Sequence, residues 1–263
     1  MTKILFSDLD GTLIDHQGEL IHSQDLNALS QLRQNGHLVA LCTGRNNIDL
    51  IPTLKKIAIP YDYLVLCNGA YIQDAQGHVL KRSDIPLDVA ASLLKAFRSY
   101  PPLVTYFCDE AHCVFRDSQG VHVLDESGVF KDSSMTFEKW MDAARCFTII
   151  GVHQEDRQTD ILDHAVQSIL PAYQKAVSWS YNTAYVDIMA HGSSKQSGLV
   201  CLCQHLGIPL EDSYAIGDSF NDLGMLQAAG HGFTFQHAPS SLKEVAESIV
   251  AGVYEVVQKI HNA

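Results

Sequence analysis

The chain has 263 residues, of which 46% are hydrophobic and 18% charged, and its formal net charge is −12 at pH 7. This length favours two domains over one, and the apolar content suffices for a packed core. The acidic balance argues against nucleic acid or an anionic membrane as the main partner, because both select basic surface. No apolar run approaches the roughly 20 residues that a membrane-spanning helix needs.

Strand and helix patterns alternate over the first part of the chain. Ile4–Ser7 reads as a buried strand, Ser23–Asn35 as a helix capped by Ser23 and ended by Gly36, and His37–Cys42 as a second strand. A helix from about Asn46 to Ile57 and a strand over Tyr63–Cys67 follow, then a hairpin over Ile72–Val79 around Asp74-Ala75-Gln76-Gly77. Short apolar strands alternating with amphipathic helices predict a Rossmann-like α/β core, a parallel sheet with helices on both faces.

The pattern then changes. Predicted elements are a helix over Leu87–Tyr100, strands over Leu103–Cys108 and Cys113–Phe115, and a helix over Thr136–Ala144. A strand over Phe147–Val152, a helix over Thr159–Leu170 and two close strands, Ala176–Ser180 and Ala184–Met189, complete this region. Adjacent strand pairs suggest an antiparallel or mixed sheet, hence an inserted α+β domain. The alternation resumes with a helix at Lys195–Leu206, a strand at Tyr214–Ile216, a helix at Leu223–Ala229, a strand near Gly232–Phe235 and a last helix at Val253–Ile260. The expected organisation is a discontinuous core, residues 1–82 and 188–263, with an insert over residues 83–187.

Seven cysteines (Cys42, Cys67, Cys108, Cys113, Cys146, Cys201, Cys203) form no CxxC pair. Met1-Thr2-Lys3 runs directly into a strand, so the expectation is a soluble protein of the reducing cytoplasm. Cys108, His112 and Cys113 could form one corner of a metal site, but no fourth ligand follows at suitable spacing.

Four short segments carry chemistry. Asp8-Leu9-Asp10-Gly11-Thr12 follows the first strand, and residues i and i+2 leave a strand on one side, so Asp8 and Asp10 can share a pocket at its carboxyl end. One carboxylate can attack phosphorus; the other can protonate the leaving oxygen and later activate water. Turn or cap residues are the plainer reading of both. Thr43-Gly44-Arg45 sits where the second strand meets a helix start, and a hydroxyl with exposed N–H groups there makes an anion site, or simply an N-cap. Lys195, behind Gly192-Ser193-Ser194, stands at a helix start beside the positive dipole end, a conflict that an anion would repair unless the side chain is merely solvated. Asp218 and Asp222, four apart, share a face if the loop coils into a helical turn, with Asn221 beside them; capping by Asp218 is the alternative.

Brought together, Asp8, Asp10, Asp218 and Asp222 would repel one another without a cation. All-oxygen ligands and a phosphate favour magnesium, held by Asp8, the Asp10 backbone carbonyl and Asp218, with Asp222 direct or one shell out. The metal and Lys195 would neutralise the transferring group.

These motifs resemble those of the haloacid dehalogenase-like phosphatases, specifically Cof-type members with a large α+β cap (class IIB). The matching residues are Asp8-Leu9-Asp10-Gly11-Thr12-Leu13, Thr43-Gly44-Arg45, Asn68-Gly69-Ala70, Lys195, and Gly217-Asp218 through Asn221-Asp222, and the resemblance covers the whole chain. It implies Asp8 as nucleophile, Asp10 as acid and base, Thr43, Gly44, Lys195 and Asn221 on the substrate phosphate, and Mg2+ as cofactor. Where such proteins usually have an Asn-Ala pair after the last core strand, this chain has Gln236-His237-Ala238. The leading expectation is hydrolysis of small phosphate monoesters, sugar phosphates or phosphorylated cofactors, through an aspartyl-phosphate. A phosphomutase is the nearest alternative and a non-catalytic binder of phosphometabolites a remote one. Specificity is expected from the insert, with His112, His153 and the Tyr181-Asn182-Thr183 turn as candidates, although surface positions are the plainer reading of each.

Overall fold

A computed structural model describes every residue except His16, Glu126, Thr183 and Ala263. The chain divides into two compact units, one of Met1–Gly44, Thr53–Lys81 and Ser194–Ala263, the other of Arg45–Pro52 and Arg82–Ser193.

The first unit opens with β1 (Ile4–Asp8), α1 (Gln24–Gln34), β2 (Leu38–Cys42), α2 (Asn47–Ile57), β3 (Tyr63–Leu66), β4 (Tyr71–Asp74) and β5 (Val79–Arg82). The first turns of α2, up to Pro52, group with the second unit. Ser23 does not cap α1. Its backbone is already helical (φ −60°, ψ −23°), which turns its hydroxyl away from the free N–H groups. Gly36 does end the helix region with φ +83°, a conformation open to glycine.

The second unit continues with α3 (Leu87–Phe97), β6 (Leu103–Cys108), β7 (His112–Arg116), β8 (Val121–Asp125), β9 (Phe130–Asp132), α4 (Phe137–Ala143), β10 (Ile149–Gln154), α5 (Asp160–Ile169), β11 (Val177–Asn182) and β12 (Tyr185–Ala190). Its seven strands form one antiparallel sheet in the order β11-β12-β10-β6-β7-β8-β9. Alternation along β6 sends Leu103, Phe107 and their neighbours into an apolar layer with Leu93, Phe97, Leu162 and Val166 of α3 and α5. Tyr106 faces the other way. Its ring lies where a side chain on Gly151 would collide, 1.8 Å from the Cβ position, and its hydroxyl donates to Asp187 Oδ1 at 3.1 Å.

The chain then returns to the first unit as α6 (Lys195–Leu206), β13 (Ser213–Ile216), α7 (Leu223–Ala228), β14 (His231–Phe235), α8 (Ser240–Val245), β15 (Ser248–Val250) and α9 (Val253–Asn262). The eight-stranded sheet runs β15-β14-β13-β1-β2-β3-β4-β5, parallel from β15 to β3 and antiparallel between β3 and β4. β1 is buried along its whole length between β13 and β2, so its carboxyl end delivers Asp8 to the middle of the sheet edge. Ile4, Phe6, Ala40, Val65 and Ala215 of the sheet pack with Leu199 and Leu202 of α6 and with Met225 of α7.

Candidate active site

Every side chain of the central cluster belongs to the first unit. Asp8 ends β1 and is buried. Just beyond it, Gly11 turns the chain at φ +86°, and a Cβ there would sit 2.4 Å from Asp218 Oδ2. Glycine at this position is therefore a condition for the approach of Asp218 to the β1 loop. Thr12, fully buried, donates its hydroxyl to Asp218 Oδ1 at 3.2 Å.

The loop after β13 places the other acids. Asp222 Oδ2 accepts from the Asp218 and Ser219 N–H groups at 3.1 and 3.0 Å, which folds Gly217–Asp222 into a tight turn. Gly217 makes room for it, since a Cβ there would meet Asp222 Cγ at 2.3 Å. The other oxygen, Oδ1, accepts from Lys195 Nζ at 2.6 Å, and Lys195 Nζ also donates to Asp8 Oδ1 at 2.6 Å. Both oxygens of Asp222 are thus engaged, one on backbone and one on lysine.

Lys195 occupies the first position of α6, behind a reciprocal Ser194–Ser197 capping box. Two glycines press this helix end into place: a Cβ on Gly69 would lie 2.1 Å from the Ser194 carbonyl, and one on Gly198 would lie 2.4 Å from Val65 Cγ1. Cys67, Asn68 and Gly69 all have positive φ (49°, 48° and 87°), a strained run that carries the chain past the start of α6. Asn68 Oδ1 accepts from Asn221 Nδ2 at 3.3 Å, and Asn221 Oδ1 accepts from Ser219 at 2.6 Å. Thr43 is tied to the same region through its backbone, its carbonyl accepting from the Asn68 N–H at 3.0 Å.

Burial dominates the electrostatics. It pushes the Asp8 carboxyl well above the usual aspartate range; Lys195 opposes the rise, and Asp222 and Asp218 add to it. Burial raises Asp218 as well, with Asp222 reinforcing it. For Lys195 burial acts downward, but Asp222 and Asp8 outweigh it and hold the ammonium above its ordinary range. The conflict between Lys195 and the helix dipole is met by these two carboxylates.

Asp8, Asp218 and Asp222 each offer an oxygen within 4.8 Å of the others, the group of this kind among the described residues. Asp10 follows Asp8 in the same loop, where it bridges to Ile14. Arg45 lies 3.7 Å from Asp49, one turn on. His237 is exposed after β14 and stacks on Phe235 at 5.1 Å. In the second unit, His112 is partly exposed, while His153 is buried rather than on the surface. Tyr181 and Asn182 end β11, and Thr183 lies outside the described residues.

Thr12, Asn68 and Tyr106 were not singled out individually from sequence. Thr12 and Asn68 stand inside motifs that were, whereas the Tyr106–Asp187 pair joins residues 81 apart and left no local signal.

The chain belongs to the haloacid dehalogenase-like hydrolases, whose family pattern it matches over residues 5–256. It is 26% identical over 259 residues to the pyridoxal phosphate phosphatase YbhA of Escherichia coli, covering 95% of this chain and 93% of that protein. It is 28% identical over 271 residues to the HMP-PP phosphatase of Cronobacter sakazakii, covering 96% and 91%. Among solved structures, a haloacid dehalogenase-like hydrolase from Bacteroides thetaiotaomicron aligns with a TM-score of 0.81 at 20% identity, covering 99% of this chain and 100% of that one. The subclass IIB sugar phosphatase BT4131 aligns with a TM-score of 0.76 at 23% identity, covering 99% and 98%. The resemblance drawn from the motifs therefore holds at the level of the family, and the chain is an enzyme of the haloacid dehalogenase-like hydrolases. No helix among the described residues is long and apolar enough to cross a membrane.

Proposed function

We propose that the protein is a magnesium-dependent hydrolase of small phosphate monoesters that works through an aspartyl-phosphate on Asp8. The supporting observation is the buried Asp8 carboxylate at the end of β1, 2.6 Å from Lys195 Nζ and clustered with Asp218 and Asp222. Asp8 attacks phosphorus while Asp10, two residues on, protonates the departing oxygen. In the second half-reaction Asp10 takes a proton from the water that cleaves the acyl-phosphate. Thr43, the Gly44 N–H, Lys195 and Asn221 hold the phosphate oxygens.

The residues fit a magnesium ion. Their donors are all oxygens, the carboxylates crowd one another, and Gly11 and Gly217 clear the space for Asp218 and Asp222 to do so. Asp8, the Asp10 carbonyl and Asp218 would hold it, and Asp222, with both oxygens already engaged, would orient Lys195 beside it. The ion would supply positive charge against the phosphate oxygens.

The insert selects the substrate on this reading, since the first unit's motifs account for phosphate and proton transfer alone. The names of the relatives suggest phosphorylated cofactors such as pyridoxal phosphate or HMP-PP, and sugar phosphates, as the panel to assay.

Phosphate release from that panel by the wild type and by Asp8→Asn tests the proposal. The variant keeps shape but loses the attacking charge, so turnover falls by several orders of magnitude with the fold intact. Near-normal turnover in a sample checked for deamidation refutes the role of Asp8. Isomerised ester in place of free phosphate identifies a mutase instead.

A further inference from the structure

Cys108 and Cys113 face each other across the β6–β7 hairpin as register partners. The adjoining pair is hydrogen-bonded, the Asp109 N–H donating to the His112 carbonyl at 2.9 Å. Hydrogen-bonded and non-hydrogen-bonded pairs alternate along an antiparallel ladder, so Cys108–Cys113 is of the close type, with Cα atoms about 4.5 Å apart. That separation lies within the roughly 4.4–6.8 Å that disulfides accept.

The side chains complete the approach. Both cysteines are reduced and buried, and the Cys108 thiol donates to Cys113 Sγ across 2.8 Å. A covalent bond of about 2.05 Å needs the sulfurs to close by only about 0.8 Å. β6 is held on its other edge by β10, where Ile149 pairs with Cys108, so the backbone keeps the pair in place. Cys113 Sγ also accepts from Asn46 Nδ2 at 2.6 Å, and Asn46 is itself fixed by accepting from the Asp49 N–H at 3.0 Å. His112 does not complete a metal corner with these thiols. Its ring tilts against Trp140, centroids 4.9 Å apart, and the carboxylate cluster of the first unit is the metal-capable group among the described residues.

We infer that Cys108 and Cys113 are an oxidation site at which a hydroperoxide closes an intrachain disulfide across the hairpin. Cys113, whose sulfur accepts from both Asn46 and Cys108, takes one peroxide oxygen and becomes a sulfenic acid, and the other oxygen leaves as water. The Cys108 sulfur then attacks the Cys113 sulfur, and the hydroxyl departs with the Cys108 proton as a second water. Two thiols lose two electrons and two protons, and one hydrogen peroxide becomes two waters. Burial restricts the oxidant to one this small and uncharged, while contact between the sulfurs makes the second step intramolecular.

The experiment exposes the full chain to hydrogen peroxide, alkylates it under denaturing conditions and digests it with a protease that cuts beside Asp109 and Glu110. Mass spectrometry should find the Cys108 and Cys113 peptides joined, two fewer of the seven thiols alkylated, and both changes reversed by dithiothreitol. The partly exposed Cys201 serves as an internal clock, and the crosslink should be complete before its oxidation is detected. Cys108→Ser should stop at a dimedone-trappable sulfenic acid on Cys113. The inference is overturned if both thiols stay alkylatable at a dose that oxidises Cys201, or if Cys113 proceeds to sulfinic acid in the wild type without the crosslink.

Discussion

Lys195 Nζ lies 2.6 Å from Asp8 Oδ1 although 187 residues separate the two in the chain. Asp222 accepts from the same ammonium at the same distance, and all three side chains are buried. Isolated, each charge would be costly in this environment; together, two carboxylates and one ammonium leave a net negative site suited to a cation.

Removing the ammonium should therefore cost stability as well as activity. Lys195→Met keeps the volume but leaves two buried carboxylates facing each other, and breaking a buried pair in this way costs about 3–5 kcal/mol. Urea unfolding in the presence of a chelator should show that loss. Adding Asp222→Asn should recover part of it, because the two changes act on one network. Strict additivity of the two losses would show that the ion triad contributes nothing as a unit.

Magnesium should stabilise the folded protein through Asp218. A ligand that binds only the native state adds about 2.7 kcal/mol at a hundredfold excess over its dissociation constant. The melting temperature of the wild type should rise with magnesium and that of Asp218→Ala much less. Equal rises in the two proteins would move the metal away from this cluster.

Gly11→Ala should uncouple the same site by another route. The backbone there sits at φ +86°, and the new methyl carbon would lie 2.4 Å from Asp218 Oδ2, so the loop and the acid cannot both keep their places. The expected result is a lower urea midpoint together with a reduced magnesium shift. A variant with wild-type stability and a full magnesium response would show that Asp218 has room to move without consequence.

The core was legible because its signals are local. An apolar run followed by a polar turn marks β1 and β13, and the helix expected at Lys195–Leu206 has those bounds in the structure, where Ser194 caps it and Gly207 follows it. What was missed lacked such signals. Phe130–Asp132 is exposed along its length and shows no apolar alternation, and Ser240–Val245 is six residues with Leu242 alone buried. Ser23 has the right residue type for a cap but the wrong backbone angles, which composition cannot reveal. Asp8, Lys195, Asp218 and Asp222 could be named from motifs, yet the two-sided use of Asp222 and the glycine contacts that seat α6 depend on distances that only the fold supplies.

The second unit carries its own pH dependence in His153. The ring is buried on β10, tilted against Tyr185 at 4.6 Å, and Nδ1 has no hydrogen-bond partner among the described residues. Burial, reinforced by Arg157 and opposed by Glu155 and Asp117, pushes its pKa down to about 4. The unfolded chain takes up this proton near the ordinary histidine value of about 6.5, whereas the folded protein does not until about pH 4. Stability is therefore complete above the unfolded value and falls as pH drops through the window between the two, because the unfolded state binds more protons there. The full span sets a ceiling of roughly 3 kcal/mol, and solvent screening should reduce it to about half. His153→Gln keeps a polar side chain without the titration. Its urea midpoint should change less than that of the wild type between pH 7 and pH 5, with the two proteins compared in one buffer series. Parallel pH profiles would mean that His153 is protonated in the fold as readily as in the unfolded chain.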